Sequence, residues 1–549
     1  MNTVIVVGAG GAGIAAAIEA AENGARVTLV TKALYEKDKY TWASTGGCTW
    51  KTHAFNVAIT PIDSVEDHIN DTIVGGSFAN NPALAETLCH GARELVDWLE
   101  ELGITFEREL DGSFATRPFG GCGIPRGVYL EDRLGYYIQT ALAARLAQLV
   151  ADGCVSVISG VRATRILLDD NGWASGIEAL AVDSLETLTF TAAGVVLADG
   201  GGASMYAPSA ASMDKSCDGI VLGLKAGAEV IDMEFVQFHP TGLASNVLTF
   251  DGSLVEEALR FDGAQLLNRS GKRFMLDYDP RGEMATRDVV SRGIYREIIE
   301  GRGFDNKDVR LDISSCAHII STTYPALHER LIQAGFDPGT NNVLNIRPTA
   351  HFLMGGLRID TEAETSIPGL FAAGETAGGV HGANRLGGNG LSECLVFGRI
   401  AGRNAARHAA GRPETGDIDV SPSFKQPSCQ NGETPESVLR ELRSSMYWNV
   451  GPVRTKLGLL TMLGLISTFE ERAQRLAFTT GSRAAAQIQT YLDLTNLLLA
   501  SRVIVEGALM RTESRGAHFR DDYPDMLNEF SGSSATLKDD RLVWSSYGH

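Results

Sequence analysis

Two glycine-rich stretches, at 3–13 and 369–399, stand on either side of a long insert, so the chain must bring distant parts together. TVIVVGAGGAG at 3–13 gives an apolar strand, a glycine turn and the start of an alanine-rich helix, which runs from Ala12 to about Asn23 and closes at Gly24. ARVTLVT at 25–31 follows as the second strand. Gly8, Gly10 and Gly13 fit the dinucleotide fingerprint: a tight turn admits a pyrophosphate, and the helix N-terminus, with Gly11 and Ala12 in it, favours its charge. The second stretch is GLFAAGETAGGVHGANRLGGNGLSECLVFGR at 369–399. It reads as a short buried strand ending on Gly374 and Glu375, where a carboxylate can accept a ribose hydroxyl. Gly387, Gly388 and Gly390 let the main chain approach a flat ring, and Arg385 among them is a planar fork suited to a carboxylate. The two stretches together describe a flavoenzyme.

A further glycine turn, GVVLADGGG at 194–202, contains Asp199 and Gly200 and returns the chain to the cofactor unit. A charged region then intervenes before cofactor sequence resumes at His351. The expected fold is α/β: a Rossmann-like FAD-binding domain in two parts, 1–242 and 346–410, with an α+β capping domain at 243–345 that closes the site from water. Residues 411–437 are polar, rich in Pro, Gly and Ser, and read as a linker. From 438 to 549 the pattern turns helical, most clearly over 483–510, and predicts a C-terminal helical domain.

With 549 residues the chain has room for about three such units, and its net charge of -19 argues against a nucleic-acid or anionic-membrane partner. An anionic substrate must be drawn by local arginines. Eight cysteines, with no CxxC pair and no metal-like cluster, predict free thiols, no bound metal and a cytoplasmic protein. Val4–Val7 is too short for a signal peptide, and no stretch approaches a membrane span.

Five motifs occur in order: QFHPTG (237–242), ATRDVVSRG (285–293), RPTAHFLMGG (347–356), HGANRLGGN (381–389) and RTESRGAHFRDDYP (511–524). They resemble the flavoprotein subunit of succinate dehydrogenase and fumarate reductase, and its relative L-aspartate oxidase. The resemblance implies hydride transfer between flavin N5 and one carbon of a short carboxylic acid, with a proton exchanged at the neighbouring carbon. It implies that His351 and Arg385 hold one substrate carboxylate, that His239 meets the second, and that Arg287 is the proton donor, resupplied through Glu257 and Arg260. A spacing of three puts Glu257 and Arg260 on one helix face. FAD contacts are implied at Gly8, Gly10, Gly11, Ala12, Gly13, Thr31, Lys32, Tyr40, Thr41, Thr45, Gly46, Gly47, Asp199, Gly200, Asp218, Glu375, Arg385, Gly388, Gly390, Leu391 and Ser392. Arg511 and Arg515 read as ties between the helical domain and the core.

Several positions depart from the family pattern. Tyr40 stands where members that attach flavin covalently have histidine, so FAD is expected to be non-covalent. Lys32 ends the second strand where an acidic ribose ligand is usual. Phe119 matches the fumarate and succinate enzymes, whereas L-aspartate oxidases carry glutamate there. Cys122 and Gly123 replace usual polar ligands, and Thr45, Asp199 and Gly390 replace a glutamine, a threonine and a serine near the flavin. Cys48 reads as a small buried filler.

Glu256 replaces a threonine that donates to the second carboxylate. Facing an anion, it would repel by about 1 to 4 kcal/mol. This predicts a neutral or cationic substrate end there, and a substrate other than plain fumarate. A salt bridge from Glu256 to a cap arginine is the alternative.

The sequence reading is an FAD-dependent oxidoreductase that interconverts a saturated and an α,β-unsaturated small carboxylic acid with an unidentified electron partner. Two other readings stay open: an L-aspartate oxidase-like enzyme forming an imine, and an electron-relay subunit of a larger complex.

Overall fold

The computed structural model describes residues 2–33, 35–36, 41–42, 52–412, 432–479 and 482–548. Its centre is a five-stranded parallel sheet in the order Leu370–Ala372, Gly194–Leu197, Thr3–Val7, Arg26–Thr31 and Val155–Ser159. These strands are short and apolar because helices and strands cover both faces. Their register aligns Val7 with Val30 and Leu197, so the carboxyl ends open together on one cleft.

The two cofactor stretches meet through a pair of helices, Gly11–Glu22 and Asn389–Ala410. Glycines permit the close approach: a Cβ on Gly402 would lie 2.1 Å from the Ala16 carbonyl oxygen, and one on Gly398 2.6 Å from that of Ala12. Arg399 and Arg403 close the contact by pairing with Glu19 at 3.0 and 2.7 Å.

Beside this body lies an antiparallel sheet in the order Val236–Leu243, Val343–Leu353, Val309–Asp312 and Gln265–Leu267. It has its own apolar core, including Leu243, Val255, Leu266, Ile294, Leu344 and Ile346. The boundaries expected at 243 and 345 fall inside the two longest of these strands. Val236, Phe238, Ala350 and Leu353 belong to the main core, whereas Leu243, Leu344 and Ile346 belong to the smaller one. His239 and His351 stand at this crossing, with His239 opposite Thr349. A register shift between His239 and Gly242 marks the same point, and such irregularities re-aim side chains.

After Thr434 the chain forms helices Pro435–Asn449, Lys456–Ala473 and Ser482–Met510. It does not stay helical. Gly532–Lys538 and Arg541–Tyr547 make a hairpin that pairs with Val230–Ile231 of the main body. Asp539 and Asp540, both with positive φ (48° and 58°), form the two-residue turn whose twist suits paired strands. Arg511 pairs with Glu234 at 2.7 Å and Glu513 at 3.0 Å, and Arg515 reaches the Ser77 carbonyl at 2.7 Å, tying this tail to the body. No helix among the described residues is long and apolar enough to cross a membrane.

Candidate active site

At the carboxyl ends of the parallel strands, a cleft is lined by Gly8, Gly10, Gly11, Ala12, Thr31, Lys32, Asp199, Gly200, Asp218, Glu375 and Leu391. Gly10 caps the first helix in extended conformation with no side-chain bond, so the helix amides open onto the cleft. Gly8 has φ 105°, and a Cβ there would lie 2.4 Å from the Ala198 carbonyl oxygen. Gly13 is off the cleft wall. Its missing Cβ makes room for the Gly8 carbonyl, 1.9 Å away, so it shapes the turn rather than touching a ligand.

Lys32 is half-buried and donates to Asp218 at 2.9 Å and Ser216 at 3.0 Å. Asp218, from another segment, thus brings a carboxylate to the end of the second strand, which has none of its own. Burial opposes its charge, but Arg162 and Lys32 outweigh burial and hold it well below the usual carboxylate range. Asp199 behaves oppositely: burial and the neighbouring Asp218 push it up to about 7. Its buried Oδ2 has no partner among the described residues, leaving a polar atom for a ligand. Glu375 is paired with Lys215 and accepts the Leu353 amide at 3.0 Å. An uncapped helix N-terminus, a glycine turn and buried polar groups along one cleft fit a dinucleotide.

The glycines after Arg385 make room for side chains. A Cβ on Gly390 would lie 2.7 Å from Arg385 Nη1, one on Gly388 2.5 Å from Asn56 Oδ1, and one on Gly387 2.5 Å from the Phe119 ring. Ser392 is also off the cleft: its hydroxyl donates to the Asn56 carbonyl at 3.0 Å. Helix phase turns Leu391 and Cys394 to the wall instead. Tyr40, Thr45, Gly46, Gly47 and Cys48 lie outside the described residues, and of Thr41 only its place in a two-residue strand is described.

In the same cleft, Arg385 Nη2 lies 2.9 Å from His351 Nε2. A guanidinium only donates, so Nε2 accepts and neutral His351 carries its proton on Nδ1, which has no partner among the described residues. The His239 ring centre is 5.5 Å from that of His351. Its Nδ1 accepts the Thr241 amide at 3.3 Å, which leaves the proton on Nε2. Burial, reinforced by Arg287 at His239 and by Arg385 at His351, holds both imidazoles far below their ordinary 6.5.

Arg287 lines the cleft at the start of helix Arg287–Ile299 and donates from Nε to Glu257 Oε2 at 2.7 Å. Glu257 Oε1 faces Arg260 Nη2 at 3.0 Å, as the spacing of three predicts. Arg260 lies behind, off the cleft, donating to the Glu283 carbonyl at 2.5 Å. Burial works against the Glu257 carboxylate, yet Arg287 and Arg260 keep it at about 2. Gln237, unremarked in its motif, accepts from Arg287 Nη1 at 3.2 Å and donates to the Arg385 carbonyl at 2.7 Å, linking the two arginines.

Residues 3–391 match the family described as FAD binding domain, and residues 439–544 match fumarate reductase flavoprotein C-term. The chain belongs to the fumarate reductase/succinate dehydrogenase flavoprotein family. It is 38% identical to a subunit of the fumarate reductase (CoM/CoB) of Methanothermobacter marburgensis over 96% of both chains. It is 34% identical to L-aspartate oxidase of Caulobacter vibrioides, over 95% of this chain and 93% of that one. The fold matches Escherichia coli quinol fumarate reductase with TM-score 0.89 at 28% identity, covering 100% of this chain and 97% of that one. The protein is an FAD-dependent oxidoreductase of this family.

Of the two readings for Glu256, the structure takes the salt bridge to a cap arginine over the bare carboxylate facing substrate. Glu256 lines the cleft, but both its oxygens are taken: Oε1 by Arg330 at 2.6 Å and Oε2 by His53 at 2.5 Å. Burial disfavours its charge, and the two cations still hold it at about 2. The repulsion expected from an unpaired carboxylate is therefore absent. Cys122 takes a weak bond from Asn56 at 3.7 Å, and burial pushes its thiol up to about 12. Sequence reasoning missed His53, Arg117, Arg162, Lys215, Gln237 and Tyr324. Gln237 lay in the motif of His239, and Arg117 stands two residues before Phe119 in RPFGG.

Proposed function

We propose that this flavoenzyme interconverts a saturated and an α,β-unsaturated small carboxylic acid. The observation that carries the reading is Arg287, with Glu257 and Arg260 behind it, opening on the same cleft as the Arg385–His351 pair. Bound FAD supplies the hydride acceptor or donor. Arg385 and the Nδ1–H of His351 hold the carboxylate and polarise the conjugated double bond. Phe119 packs over Gly387 beside Arg287 and keeps water from the reacting carbons.

In the reducing direction, Arg287 gives a guanidinium proton to the carbon next to the one that receives hydride. Glu257 then returns a proton to Arg287 from Arg260, and solvent restores Arg260. Arginine is a poor acid, so this works only because the substrate carbon becomes strongly basic and the proton is replaced at once. Oxidation runs the same path backwards. Tyr40 supports FAD held without a covalent bond: acid precipitation should leave the flavin in solution, and a yellow pellet would refute that part.

The alternative, oxidation of an amino acid as in the L-aspartate oxidase relatives, would need a carboxylate free for the ammonium, and Glu256 is already held by His53 and Arg330. The deciding experiment is anaerobic: dithionite-reduced enzyme is mixed with enoic acids while the oxidised flavin band is followed. Reoxidation by any of them supports alkene reduction. Silence with all of them, combined with bleaching of the oxidised enzyme by an amino acid, would overturn it.

A further inference from the structure

This inference rests on the proposed function and names the substrate class that the cleft takes. Arg385 touches His351 at 2.9 Å, the His351 ring centre lies 5.5 Å from that of His239, and Thr241, which donates to His239, also donates at 2.7 Å to the carbonyl of Val255, the residue before Glu256. The cleft is therefore ordered from Arg385 through His351 and His239 to Glu256. Its wall at the Glu256 end also includes His53, Tyr324 and Arg117.

His53 is a cation by its bonding. Its Nδ1 donates to the Asp132 carbonyl at 2.6 Å, and its Nε2 donates to Glu256 at 2.5 Å. An imidazole that donates from both nitrogens carries a proton on each. Arg330 occupies the other oxygen of Glu256 and also the Leu254 carbonyl at 2.7 Å. Arg117 differs from both. Its guanidinium stacks on Tyr129 at 3.9 Å and lies 5.5 Å from the Tyr324 ring centre, and no carboxylate among the described residues pairs with it. The Tyr324 hydroxyl is spent on Asp262, which is off the cleft wall, at 2.8 Å. On the cleft wall at this end Glu256 is already held twice, and Arg117 is a guanidinium that no carboxylate among the described residues has claimed. A stacked guanidinium keeps its N–H edge free for an anion.

A four-carbon diacid clamped at Arg385 would end near His239, a neutral imidazole that offers a single N–H. The cationic His53 and the unclaimed guanidinium of Arg117 stand on the Glu256 side of the wall. We propose that this end of the cleft is an anion subsite in which Arg117 takes the second carboxylate of an unsaturated dicarboxylic acid longer than fumarate, with Glu256 fixing His53 as a half-buried counter-ion. Glu256 in this arrangement does the opposite of what its charge alone suggests: it assembles an anion site.

The test compares matched acids on the FAD-loaded enzyme: crotonate with fumarate, pent-2-enoate with glutaconate, and hex-2-enoate with hex-2-enedioate, all in the E form. Dissociation constants come from perturbation of the oxidised flavin spectrum, and rates from reoxidation of the reduced enzyme. The ratio of monoacid to diacid dissociation constant should rise with length, to tenfold or more in the five- or six-carbon pair. Arg117→Met should cut that ratio at least tenfold, and His53→Asn should lower it too. Flavin absorbance and melting temperature report that each variant has folded. A ratio near one at the longer lengths, or one greatest for fumarate, would overturn the subsite. So would a ratio that survives in Arg117→Met. Failure of every acid to bind or to reoxidise the flavin would instead sink the proposed function.

Discussion

The two ends of the cleft use the same residue types in opposite charge states. At one end buried His239 and half-buried His351 stand beside arginines and stay neutral; at the other half-buried His53 donates to Glu256 and is a cation. Burial disfavours charge at all three. What separates them is the partner: a guanidinium beside an imidazole adds to the cost of protonation, whereas a carboxylate cancels it. The neutral end offers directed N–H groups and one arginine for a carboxylate whose electrons must move. The charged end offers field without chemistry.

Breaking the neutral end should have the largest effect. Arg287→Ala is expected to lower kcat by roughly 10²- to 10⁴-fold while the FAD absorbance is retained. Turnover near wild type would remove Arg287 from the proton path. Next comes the charged end. Glu256→Gln leaves two half-buried cations without their partner and should cost about 1.5 to 3 kcal/mol of stability, seen as a lower melting temperature.

That loss should depend on pH in a particular way. Glu256, held at about 2, stabilises the fold above its ordinary 4.5, and the contribution fades as pH falls toward 2. His53 is raised above its ordinary 6.5, so its contribution is full below 6.5 and fades as pH rises through the folded value. The gap in melting temperature between wild type and Glu256→Gln should be widest between 4.5 and 6.5 and narrow on both sides. A gap that grows steadily from pH 6 to 9 would contradict the pairing.

The neutral histidines set a smaller trend of opposite sign. Their depressed values mean that the unfolded chain takes up protons first, so they make wild-type stability fall as pH drops below 6.5. Replacing His239 by Gln should flatten that acid-side slope, read by thermal melts in a pH series. Smallest of all, Gly390→Ala crowds Arg385 Nη1 at 2.7 Å and should raise KM about tenfold, for roughly 1.4 kcal/mol of displaced contact. An unchanged KM would mean that Arg385 moves aside at no cost.

Much of this was legible in the sequence wherever the interaction is local. The turn at Gly8 and the Glu257–Arg260 pair follow from spacing alone, and both appear as read. Glu256 carried two readings, and the structure takes the salt bridge to a cap arginine; the choice was not legible because Arg330 stands 74 residues away and nothing in KTHAFN marks His53 as a second cation. Ser392 was placed on the ligand side because its motif is cofactor sequence, but helix phase turns its hydroxyl to the Asn56 carbonyl. The closing hairpin escaped notice because a two-residue Asp539–Asp540 turn is a weaker signal than one with glycine. Each miss involves a choice made by tertiary packing among options that the local sequence left open.

The helix contact between Gly11–Glu22 and Asn389–Ala410 also bears on how the protein is born. Glu19 and Arg399, which close it, are 380 residues apart. The first strand and its glycine turn leave the ribosome early, yet they acquire their other wall only when residues 373–394 have emerged. An enzyme of this design holds its flavin site half-built through most of its synthesis, so cofactor capture must be one of the last events of its assembly.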